Sequence, residues 1–159
     1  MISSPQLKAN FSHPLSRFVS VEALALFLDI PVEAIYHVSC WRYVIHVVGE
    51  GISTFVSYAD LPPILEVNVP ERRDFSYWRK RWRKNKINRG KAPEFWQEFY
   101  LRKCQTAQSI LEVEAWYKLI MSIAFAFTPN TLETLQQVYK KSPYILDAAA
   151  FLLLDETYN

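Results

Sequence analysis

Ten cationic side chains crowd into residues 71–91: Arg72, Arg73, Arg79, Lys80, Arg81, Arg83, Lys84, Lys86, Arg89 and Lys91, opposed only by Glu71 and Asp74. The segment carries +8, whereas residues 1–70 and 92–159 each carry −3, so the net charge of +2 conceals a polarised chain. Guanidinium and ammonium groups at this density suit phosphates, because each neutralised phosphate releases a condensed counterion. On a helix, Phe75, Trp78 and Trp82 share one face at i, i+3 and i+7, leaving Arg79, Arg83 and Lys86 on another with Lys80 and Lys84 beside them. That spacing predicts a phosphate-tracking surface anchored to a core by tryptophans. The plainer alternative is a solvated basic helix whose long stems cover apolar surface, and a third is a helix lying on a membrane. The uncompensated charge favours a polyanion, and the tryptophans are needed for a core.

Other chemistries find little support. His13, His37 and His46 are scattered, and none stands at zinc-ligand spacing from a cysteine or carboxylate. Cys40 and Cys104 read as core packing in a reducing cytoplasm rather than as nucleophiles or a disulfide framework. Asp155-Glu156 reads as a surface pair rather than an acid/base couple, and three glycines at 49, 51 and 90 cannot form a phosphate-cradling loop. The expectation is therefore no catalysis, no cofactor and no metal. Half the residues are apolar and 15% are aromatic, which argues against disorder. No signal-peptide pattern is visible, and the apolar run Ala148–Leu154 is too short to span a bilayer.

The elements that must position the basic belt follow from periodicity. Residues 1–19 read as an irregular arm. Ser20 caps a helix whose apolar face is Val21, Leu24, Ala25 and Leu28. Asp29-Ile30-Pro31 interrupts it, and Pro31 opens a second helix, Val32–Trp41, burying Ile35 and Val38. From Tyr43 the residues turn β-branched and aromatic, predicting a hairpin over 43–58 with a three-residue-type loop around Gly49-Glu50-Gly51. Residues 61–70, with three prolines, form a connector. Helices then follow over Arg73–Asn88, within Glu94–Phe127, over Leu132–Lys141 after the turn Thr128-Pro129-Asn130-Thr131, and over Tyr144–Leu154 after Ser142-Pro143.

The run from Val21 to Tyr36 resembles the helix-turn-helix of MerR- and excisionase-like winged-helix regulators. Val21, Ala25, Leu28, Ile30 and Ile35 match its apolar positions, Asp29 stands where the family has a turn glycine, and Asp60-Leu61 resembles the pair that opens the family's next helix. The resemblance covers residues 20–65. It implies an N-terminal winged helix-turn-helix over 20–70; with the periodicity of the remaining chain, the expectation is a mainly α protein with one β-hairpin, a basic linker helix over 71–91 and an all-helical dimerisation domain over 92–159.

The function expected is that of a cytoplasmic, homodimeric, sequence-specific DNA-binding transcriptional regulator acting as a repressor. The resemblance places Val32–Trp41 in the major groove of double-stranded DNA, with Tyr36, His37 and Arg42 as reading groups and the hairpin tip on the flanking backbone. Arg72, Arg73, Arg79, Lys80, Arg83, Lys84 and Lys86 would neutralise phosphates. The rival is a non-catalytic protein–protein or RNA-binding adaptor that uses the same basic helix.

Overall fold

The computed structural model describes residues 7–9, 13–84 and 90–158. The chain divides into two compact units, Met1–Phe95 and Trp96–Asn159. Residues expected as a basic linker thus fold largely into the first unit.

The first unit is built on a four-stranded sheet in sequence order: β1 (Leu7–Ala9), β2 (Ile35–Cys40), β3 (Ile45–Gly49) and β4 (Ile52–Val56). β1 runs parallel to β2, and the remaining pairs are antiparallel. The arm expected to be irregular therefore supplies an edge strand. Between β1 and β2 lies helix α1 (Val21–Leu28). Its Ser20 hydroxyl accepts a hydrogen bond from the Ala23 amide, as the sequence predicts, and Asp29 ends it in the left-handed conformation at φ 55°. A short Asp side chain tolerates that conformation better than most.

The helix expected over Val32–Trp41 is absent. A single 3-10 turn, Val32–Ala34, leads directly into β2. The cause is a bulge: Ile35 pairs with Gly49 and His37 with Val48, so Tyr36 is an extra residue in the ladder. The bulge resets the alternation and puts Ile35 and Val38, three apart, on the same buried face. A spacing of three mimics a helical stripe while belonging to a strand. The helix-turn-helix arrangement consequently lacks its second helix at the positions that the resemblance assigns.

The hairpin itself forms as expected, but Gly49 pairs with Ile52, leaving only Glu50-Gly51 as the loop. The two glycines do different work. Gly51 adopts φ +67°, whereas a Cβ on Gly49 would meet the Ala34 carbonyl oxygen at 2.3 Å. That same carbonyl accepts the Glu50 amide at 2.8 Å, which ties the hairpin to the 3-10 turn.

After the proline-rich connector comes α2 (Arg72–Arg83). Glu71 and Asp74 form a reciprocal capping box at its start. Trp78 is fully buried, and its indole N–H donates to the Leu61 carbonyl at 3.1 Å. With Trp82, Phe18, Leu15, Leu24, Val38 and Ile45 it belongs to the core of this unit.

The second unit is helical: α3 (Glu94–Thr106), which begins at the boundary, then α4 (Ile110–Ser122), α5 (Pro129–Lys140) and α6 (Pro143–Tyr158). Ser109 caps α4 and Thr128 caps α5 through their hydroxyls. Trp96, Tyr100, Val113, Trp116, Ile120, Ile123 and Leu135 form its core. Aromatic rings pack within it: Tyr100 meets Trp116 and Phe127 at 6.1 Å between ring centroids. Among the described residues no helix is long and apolar enough to cross a membrane.

Candidate nucleic-acid interface

The cationic surface is a consequence of how α2 is anchored. Asp74, Trp78 and Trp82 are buried at i, i+4 and i+8, so the opposite side of the helix must face solvent. Two rows occupy that side at i, i+7 and i+11: Arg72, Arg79 and Arg83 form one, and Arg73, Lys80 and Lys84 the other. All six are exposed. Twelve residues of helix extend ~18 Å, about five base-pair steps of a duplex at ~3.4 Å each. Lys80 and Arg83 also lie in the last turn, beside the negative end of the helix dipole.

Two ion pairs hold this helix in place and set the remaining arginines apart from the cationic rows. Arg17 donates from both terminal nitrogens to the Asp74 carboxylate and from Nε to the Asn68 carbonyl at 3.1 Å. Burial alone would raise the Asp74 carboxyl, but hydrogen bonds from Arg17 and the Glu71 amide, with the charges of Arg17 and Arg73, bring it below its ordinary value. Arg81 donates to buried Asp60 at 3.2 Å. Neither ion pair was visible in the sequence, because the partners stand 21 and 57 residues apart.

Beside the inner row of cations opens a cleft of about 210 Å³ whose walls include His13, Tyr43, Tyr58, Tyr77, Lys80 and Lys84. The His13 ring lies parallel on Tyr58 at 4.1 Å and tilted to Tyr77 at 5.2 Å. Burial lowers the His13 pKa, so the ring is neutral at pH 7, and its Nδ1 accepts the Leu15 amide at 3.1 Å. Its proton therefore sits on Nε2. The Tyr58 hydroxyl donates to the Trp41 carbonyl, and burial pushes its pKa upward.

The groups expected to read bases lie elsewhere. Tyr36 is exposed at the β2 bulge, His37 faces outward on the same strand and hydrogen-bonds Ser39 at 2.7 Å, and the Arg42 guanidinium sits 5.2 Å over the Tyr43 ring. They are not on a helix, so they do not form the recognition helix expected over Val32–Trp41. Arg42 is carried towards the cleft through Tyr43. Near it, Trp41, His46 and Phe55 form a ring cluster with centroids 5.0–5.2 Å apart. Lys86 lies outside the described residues.

Among the described residues no three His, Cys, Asp or Glu side chains gather as metal ligands. Burial raises the Cys40 thiol, and raises Cys104 to about 11, so neither is a ready thiolate at neutral pH. Comparison of the chain with protein-family models, curated proteins and solved structures finds no match.

Proposed function

We propose that this protein binds nucleic acid without catalysing a reaction, gripping the phosphate backbone of duplex DNA with the two cationic rows of α2. The observation that carries this reading is that Arg72, Arg73, Arg79, Lys80, Arg83 and Lys84 are all turned to solvent by an anchor of buried tryptophans. The biological role proposed is that of a transcriptional regulator that represses by occupying DNA. With no helix over residues 32–41, sequence preference would come from DNA shape and deformability rather than from a helix in the major groove.

A homodimer is part of the same proposal. Leu146, Phe151 and Leu152 are exposed on α6, an apolar surface of the kind that a second copy would cover. The alternative of an RNA-binding adaptor is favoured by one observation, the exposed rings of Phe55 on β4 and of Trp41 in the β2–β3 loop, since unstacked RNA bases stack on such rings.

The test is a salt titration of duplex binding. Six phosphate contacts predict an affinity loss of about 10³-fold between 50 and 200 mM salt. Arg79→Ala with Arg83→Ala should weaken binding to all sequences and make the log–log salt slope shallower by about 1.8. An unchanged slope in that double variant would refute the assignment.

A further inference from the structure

The cleft beside α2 has a composition that backbone contact alone does not require. A polyanion needs only the cations, and an apolar partner needs only the rings. Here the Tyr43 and Tyr77 side chains line the same opening as Lys80 and Lys84. Arg81 at this wall is already paired with Asp60, whereas among the described residues no carboxylate forms an ion pair with Lys80 or Lys84. His13 adds an Nε2–H donor without adding charge. Rings, ammonium groups and a neutral donor around about 210 Å³ match the parts of one nucleotide: a base to stack and a phosphate to neutralise. That volume falls below the ~300–1,000 Å³ of sites that engulf a drug-sized molecule, so one residue of a strand is the appropriate occupant.

We infer that this cleft takes a single unpaired nucleotide, its base against Tyr43 and Tyr77 and its phosphate on Lys80 and Lys84. The inference rests on the nucleic-acid reading of α2 for its class of partner, and it adds discrimination between paired and unpaired strands. The base cannot enter while it is stacked in a duplex, so the site selects overhangs, bulges and single strands. Tyr58 forms a rigid floor, because it is buried, stacked on His13 and hydrogen-bonded to the Trp41 carbonyl. The same bond positions the loop that carries Trp41, and the cluster of Trp41, His46 and Phe55 offers a neighbouring base a second surface. Arg42, held over Tyr43, would orient that ring and lend it a cation.

The experiment measures binding of the full chain to a blunt duplex, the same duplex with a three-nucleotide overhang, and that overhang made abasic. Wild type is expected to favour the intact overhang over both other probes. Tyr43→Ala with Tyr77→Ala should reduce overhang binding by about 5- to 100-fold and leave the blunt duplex within about twofold. Tyr43→Ala alone is the safeguard against misfolding, since Tyr43 is 74% exposed and its loss should give a smaller change in the same direction. A mononucleotide followed by NMR distinguishes the sources: shifts centred on Tyr77 and Lys84 support a site for a free nucleotide as well as for a strand. Equal binding of blunt and overhang duplexes, or equal loss of both in the tyrosine variants, overturns the inference while leaving the α2 reading intact. Unchanged binding of both duplexes and an unchanged salt slope in Arg79→Ala/Arg83→Ala, with the overhang preference kept, would show the reverse. Failure of the overhang and the mononucleotide alike to bind wild type also overturns it.

Discussion

Helices α2 and α6 each leave a broad surface uncovered, and the two surfaces are chemically opposite. In α2 the buried side holds Trp78 and Trp82, and the exposed side holds arginine and lysine. In α6 the exposed positions include Leu146, Phe151 and Leu152, and over residues 143–154 no side chain is buried. An amphipathic helix can be stable with its polar face in water, because its apolar face supplies the burial. An apolar helix with its bulky side chains exposed gains little burial from its own unit. The contrast teaches that α2 turns charge to solvent from a buried anchor, whereas α6 turns apolar side chains to solvent, the surface on which the proposed homodimer depends.

That contrast is most sharply broken or kept by truncating one ring on each helix. Trp78→Ala should cost ~3–5 kcal/mol and unfold much of the first unit, read by urea denaturation. Phe151→Ala in the monomer should stay within ~0.5 kcal/mol. A comparable loss at Phe151 would mean that α6 is already covered, and the contrast would fail. Next comes the anchor of α2. Arg17→Ala strands the buried Asp74 carboxylate and should cost about 3 kcal/mol. Among the described residues of α6 no ion pair forms an equivalent anchor.

Acid should then separate the two units. Burial holds His13 below 6.5 when folded, so the unfolded chain binds more protons as pH falls below 6.5, and stability declines from there. Asp74 is depressed below 3.8, so its contribution is present above that value and disappears as pH falls through the folded pKa. In the second unit the shifted groups move the other way: Cys104, raised from 9.0 to about 11, contributes stability below pH 9 that is lost as pH rises towards 11. Urea melts at pH 7 and pH 4.5, followed by residue-resolved NMR, should show the first unit weakening while the second holds. The smallest effect on folding, and the one that tests α6 directly, is Leu152→Asp. It should leave the unfolding midpoint nearly unchanged and shift sedimentation from dimer to monomer.

Much of this architecture was written in local pattern. Ser20 as a cap, the hairpin, the tryptophan stripe of α2 and the helices after Pro93 all follow from spacing that neighbouring residues impose on one another. The strand at 35–40 was hidden because the bulge at Tyr36 gives Ile35 and Val38 a helical separation. β1 was hidden because three residues hold no period, and only the parallel partner β2, some thirty positions later, makes them a strand. The cationic face was legible as composition. The cleft beside it was not, since His13, Tyr43, Tyr58, Tyr77 and Lys84 meet only through tertiary packing.

The Arg17–Asp74 clamp has a consequence for the order of folding. It joins residues 57 positions apart, whereas the β2–β3–β4 meander joins near neighbours, so closing the clamp carries the larger loop entropy and comes late. Until then the basic belt is a hydrated stretch of unanchored chain that already carries its full charge. A polyanion that binds as proposed would therefore also find a partner in the unfolded ensemble. By mass action such a ligand stabilises the fold by less than its affinity implies.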